Sequence, residues 1–170
     1  MRITHVIYVV LFSTLLQIYN AITSFLIWSM EKLNRRRIIK DRESDEDYLE
    51  RYYLFLRDRK DFPFNIFLHK FLKSDPDELH DHPWDFITII LRGGYWEHTT
   101  KGKFWKKPFS IHYRKATDLH RIELDKKVND VWTLFIPLRR KRKWGFKTDK
   151  GWVHNEKYLQ DKIKEKYLMH

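Results

Sequence analysis

Between Val6 and Met30 the chain carries no charged side chain, and this run decides what the rest of the molecule can be. As a helix rising about 1.5 Å per residue, it would reach about 37 Å, enough to cross a hydrocarbon layer of roughly 30 Å with some tilt. The run therefore reads as a membrane span. Two alternatives stand beside it: a cleaved signal peptide with its apolar region at Val6 to Leu16, and a buried soluble helix, for which Gln17 and Asn20 are the only argument. A cut after Ala21 would need a small residue where Tyr19 stands, which favours the anchor. Lys32, Arg35, Arg36, Arg37 and Lys40 follow the run, whereas only Arg2 precedes it. By the positive-inside rule the remaining chain is expected in the cytoplasm, attached to lipid by residues 6–30 as a single-pass protein.

The organisation expected from this start is a basic-flanked anchor over 1–40, an acidic linker over 41–51 (Glu43, Asp45, Glu46 and Asp47), a β domain over 52–153 and a C-terminal helix over 154–170. With 42% apolar and 16% aromatic residues, and only five Gly and five Pro, the chain can build a core and is neither disordered nor collagen-like. There is no cysteine. That excludes a disulfide scaffold, a thiolate zinc site and a cysteine nucleophile, so any metal must be held by histidine and carboxylate.

From Tyr52 the pattern changes to short alternating segments rich in aromatic and β-branched residues. The expected strands are Tyr52 to Leu56, Phe64 to Leu72, Trp84 to Leu91, Tyr95 to Thr99, Ser110 to Lys115, Leu119 to Leu124 and Val131 to Leu138. Asp75-Pro76-Asp77, Gly93-Gly94, Thr117-Asp118 and Asn129-Asp130 supply turn signals between them. Short strands at this spacing indicate an all-β sandwich or barrel. Mixed charge after His154 suggests a solvent-facing helix.

The triplet His80-Asp81-His82 carries the most chemistry. Side chains alternate along extended backbone, so the two histidines share a face and Asp81 takes the other. Alone, such a triplet most often means packing or exposed histidines. A third imidazole changes the weighing: His120, in Leu119-His120-Arg121-Ile122-Glu123-Leu124, shares its face with Ile122 and Leu124 and points inward.

These residues resemble the two-motif layout of the cupins, small double-stranded β-helix barrels. More narrowly, His80-Asp81-His82-Pro83-Trp84, Leu91-Arg92-Gly93-Gly94-Tyr95, Ala116-Thr117-Asp118-Leu119-His120-Arg121, Trp144-Gly145-Phe146 and Gly151-Trp152 look like a group of short cupin-like proteins of phages and bacteria. The resemblance spans about 52–154 and leaves out the apolar run. It implies a metal inside the barrel on His80, His82 and His120. Many cupins add a glutamate shortly after the triplet; Asp85-Phe86 stands there instead. The site is then a three-histidine one, or is completed by Glu97 or His98, of which only one can face inward.

Other residues carry weaker readings. His69 fits packing or a contact behind the ligands, with substrate contact as the functional alternative. Arg92 could clamp an anionic substrate, whereas Arg121 points outward toward a surface salt bridge. His112, His154 and His170 are expected at the surface. Gly93-Gly94 is expected to make a tight hairpin turn through positive φ. Arg139, Arg140, Lys141, Arg142 and Lys143 form either a solvated loop or a patch drawn to anionic lipid. Nucleic acid, with Trp144 and Phe146 stacking on bases, ranks lower because no recognition module is present. The functional expectation is an Fe(II)-dependent oxygenase acting on a small molecule, with Mn, Ni or Zn as other possible metals. Its alternative is a non-catalytic small-molecule-binding or interaction module tethered to the membrane.

Overall fold

The computed structural model describes residues 2–41, 44–59, 61–76, 78–128 and 130–168, and the chain divides into two units, Met1–Arg36 and Arg37–His170. Glu43, Asp77, Asn129 and His170, which enter the expectations above, lie outside the described residues.

The first unit is helix α1, Arg2–Lys32. Asn34 closes it in the left-handed region at φ 53°, while Arg35 N–H donates to the Met30 carbonyl at 2.7 Å and Asn34 N–H to the Glu31 carbonyl at 2.9 Å. This pair of bonds is the Schellman pattern, which satisfies carbonyls the helix end would otherwise leave open. Among the described residues, α1 is the one helix long and apolar enough to cross a membrane, over His5–Lys32.

The second unit holds eleven strands and one helix: β1 Arg36–Lys40, β2 Asp47–Tyr53, β3 Phe67–Phe71, β4 Trp84–Arg92, β5 Tyr95–Thr99, β6 Gly102–Lys106, β7 Ile111–Arg114, β8 His120–Leu124, β9 Val131–Arg140, β10 Gly145–Thr148, β11 Gly151–His154 and α2 Asn155–Leu168. They form a six-stranded sheet in the order β1-β2-β3-β9-β4-β7, a three-stranded sheet β6-β5-β8 and a ribbon β10-β11. Alternation selects which side chains reach the interior. In β3 Phe67, His69 and Phe71 are buried between half-exposed neighbours, and in β8 His120 and Ile122 are buried while Arg121 and Glu123 face outward. The core joins both large sheets, with Leu49, Phe71, Ile90 and Val131 from the first meeting Tyr95 and Ile122 from the second.

Several expectations change. The stretch read as flank and linker contains β1 and β2, because Leu49 and Tyr52 are buried and the acidic Glu50 between them is satisfied by the Tyr52 hydroxyl at 2.5 Å. Charge count concealed a core strand. Gly93 and Gly94 do have positive φ, 87° and 104°, but they make no hairpin: β4 and β5 belong to different sheets, and the glycines turn the corner between them. A Cβ at Gly93 would stand 2.7 Å from the Asp130 carbonyl oxygen. Helix α2 is not wholly solvent-facing, since Tyr158 is buried and stacks on Phe146 at 4.0 Å.

Candidate metal centre

The triplet does not open a ladder strand. It precedes β4 as extended backbone held by its neighbours: His80 exchanges two backbone hydrogen bonds with His120, both 2.9 Å, Asp81 N–H donates to the Gly145 carbonyl at 3.0 Å, and His82 N–H to that of Ala116 at 3.1 Å. Extended backbone still alternates. The Asp81 carboxylate leaves the histidine side and accepts from Gly145 N–H at 2.7 Å, Trp152 Nε1 at 3.0 Å and the Arg142 guanidinium. Asp85, four residues on in β4, does the same, accepting from Ala116 N–H and the Tyr113 hydroxyl, each at 2.8 Å, and from Lys141 at 2.5 Å. With the Lys141 hydrogen bond first among the causes, its carboxyl falls to about 2.

On the other side, His80, His82 and His120 present one nitrogen each within 4.8 Å of one another, a group able to hold a metal ion. Their ring centroids are 5.2, 5.2 and 5.0 Å apart. The His82 and His120 Nε2 atoms are 2.8 Å apart. Burial, and then positive charge on the other imidazoles, pushes the His82 pKa well below its ordinary value, so this ring stays neutral and keeps a lone pair to donate.

Glu97 lies behind His120. It is 3% exposed, and its Oε1 faces His120 Nδ1 at 3.2 Å while Arg114 Nε at 3.0 Å, Arg114 Nη2 and Lys106 Nζ at 3.2 Å hold the carboxylate. Burial alone would raise its pKa; the hydrogen bonds and charges of His120 and Arg114 overcome that and hold it below the usual carboxylate range. An ionised acceptor at Nδ1 places the ring proton there and leaves Nε2 open toward His82. The donor set fits a divalent ion: three nitrogens converge, one is kept neutral by burial, and another is oriented by a carboxylate.

The remaining sequence candidates fall elsewhere. His98 turns outward to Glu123 Oε2 at 2.5 Å, beside Arg121. Arg92 has a 71% exposed side chain and reaches Asp130 at 3.8 Å, away from the triad. Of the basic run, Lys141 and Arg142 pair with Asp85 and Asp81, whereas Arg139, Arg140 and Lys143 are exposed. Phe146 is buried and Trp144 packs beside His80 at 6.3 Å, so neither is free to stack on a base. His112 bonds Ser110 Oγ at 2.8 Å and His154 lies 3.9 Å from Glu156.

A cavity of about 230 Å3 adjoins the three histidines. Phe71, Phe86, Ile122 and Phe135 supply apolar wall, and Arg51, His69, Thr88 and Thr133 supply polar points. His69 is buried, stacked on Phe135 at 5.1 Å, and accepts from Arg51 Nε at 2.9 Å. Burial and then the Arg51 charge press its pKa well below the ordinary value. Arg51 escaped the sequence reading because it lies in the supposed linker; recognising β2 as a strand would have put it on the same face as Leu49, which also lines the cavity.

No protein-family model matches the chain, and no curated protein does. Solved structures do. A cupin-2 domain protein of Rhodospirillum rubrum aligns with 68% of this chain and 78% of its own, at TM-score 0.54 and 12% identity. A cupin 2 conserved barrel domain protein of Rhodopseudomonas palustris aligns with 68% of this chain and 80% of its own, at TM-score 0.52 and 12% identity. At this identity the likeness is one of fold, and together with the two facing sheets it leads to one assignment: the β unit is a cupin-type barrel.

Proposed function

We propose that the protein is a membrane-tethered cupin that holds one divalent ion on His80, His82 and His120 and acts on a small molecule in the adjoining cavity, with Fe(II) favoured over Mn, Ni or Zn. The observation that carries this reading is the convergence of three imidazoles beside an apolar cavity, with the buried Glu97 carboxylate orienting His120. Three protein nitrogens leave coordination positions for other ligands, and bound Fe(II) would supply redox chemistry there of the oxygenase kind. The chain's own part is to orient, to exclude water and to hold protons. Glu97 keeps the His120 proton on Nδ1, burial keeps His82 neutral, and the aromatic wall excludes solvent. In this reading α1 is the anchor, the barrel is cytoplasmic, and the exposed Arg139, Arg140 and Lys143 add attraction to anionic lipid.

Open positions distinguish a catalyst from a module that merely carries metal. Full-length protein loaded anaerobically with Fe(II) should give the half-integer-spin paramagnetic spectrum of an iron nitrosyl when nitric oxide is added. A loaded protein with no such spectrum has a closed site and is a binding module.

A further inference from the structure

Arg51 is a guanidinium without a carboxylate. Among the described residues no Asp or Glu lies within ion-pair distance of it; its partners are His69 Nε2 at 2.9 Å, the face of Phe67 at 4.8 Å and the Tyr53 phenol. It lines the cavity that also contains the three histidines, and its charge is felt at both His69 and His82. A partly buried cation is normally paired or strongly hydrogen-bonded, and a guanidinium offers five N–H groups of which His69 takes one. Two residues of the same wall each carry a buried side-chain polar atom without a hydrogen-bond partner: Thr133, 1% exposed, through Oγ1, and Trp84 through Nε1. Beyond the histidines, Lys40, Thr88 and Asp75, the rest of the wall is mostly aromatic or aliphatic.

We propose that the cavity binds a small carboxylic acid with an apolar or aromatic body, its carboxylate on the Arg51 fork with a further hydrogen bond from Thr133 or Trp84. This rests on the metal-site reading only in placing the ligand beside the three histidines. The carboxylate matches the planar, bidentate geometry of the guanidinium. It also supplies a negative charge for Arg51, since the carboxylates near the triad are already engaged, Glu97 by Arg114, Lys106 and His120 and Asp75, on the cavity wall, by the Tyr48 hydroxyl and Ile122 N–H. At about 230 Å3 the space is below the usual drug-sized pocket of roughly 300 Å3 or more, which limits the body to about one ring. Arg92, the sequence candidate for an anion clamp, is replaced in that role by Arg51.

Benzoate is the probe, with benzamide and inorganic phosphate beside it, titrated calorimetrically into full-length protein in non-ionic detergent, metal-loaded and metal-stripped. Benzoate should bind at least about tenfold more tightly than benzamide, and Arg51→Met should lose about that factor while Arg51→Lys keeps part of it. Thr133→Val tests the second contact in a variant that keeps the charge, and serves if Arg51→Met does not fold. Benzoate binding unchanged in folded Arg51→Met, benzamide bound as well as benzoate, phosphate bound more tightly than benzoate, or no benzoate binding in either metal state would each overturn the proposal. Metal content is measured on the same samples. Loss of carboxylate discrimination with full metal refutes only this inference, and discrimination retained without any metal uptake refutes only the metal site.

Discussion

Glu97 shows how a single residue changes meaning between sequence and structure. As a carboxylate on a strand beside a histidine motif it reads as a fourth ligand; in the fold its Oε1 meets His120 Nδ1, on the far side of the ring from His82. Glu97→Gln should therefore bind metal about 10 to 100-fold more weakly without abolishing the site, as competition with a chelating dye would measure. Unchanged affinity would remove Glu97 from the site's support. Acid should act on the same cluster. His69 and His82 have pKa values pressed well below the ordinary histidine value by burial, so the unfolded chain takes up their protons first as pH falls. Their stabilisation is complete above about pH 6.5 and is lost progressively below it. The melting temperature of metal-free protein should fall from about pH 6.5 downward, and a flat profile to about pH 5 would contradict the burial argument. The three histidines were legible in the sequence because alternation alone turns His80 from Asp81 and His120 from Arg121. Arg51 was hidden by the charged stretch around it, and the role proposed for it also rests on its having no carboxylate partner among the described residues, a property of three dimensions.

At the level of elements, the sequence shows strands where apolar alternation is strong and hides them where charge is dense. β5 occupies its expected residues, and β4, β8 and β9 differ from expectation by only one or two. β1, β6 and β11 are short and mostly exposed, β10 is short with Gly145 and Phe146 buried, and all four are stabilised by pairing that no local pattern records. β1 has a practical consequence. Ile39 packs on the core cluster and β1 forms the edge of the six-stranded sheet, so a chain beginning at Asp41 should be less stable in urea than one beginning at Asn34 by about 1–3 kcal/mol. Equal stability would make β1 dispensable. The corner at Gly93 is a sharper test: positive φ and a 2.7 Å approach to the Asp130 carbonyl oxygen leave no room for a methyl group, and Gly93→Ala should cost at least about 1–3 kcal/mol.

For the molecule as a whole, an apolar helix and a metal-binding barrel on one chain would restrict this chemistry to the membrane surface. If α1 spans with the barrel in the cytoplasm, protease added outside sealed, right-side-out vesicles should leave the barrel intact, and should digest it only after detergent is added. Digestion of the barrel without detergent would reverse the orientation. The central claim is the ion itself, and its most direct measurement is metal content of full-length protein after Fe(II) reconstitution and desalting. Wild type and His112→Ala, a histidine outside the cluster, should each retain about one ion per chain, while folded His82→Ala and His120→Ala should retain less than about a tenth of that. Full occupancy in either of those two folded variants would contradict the account.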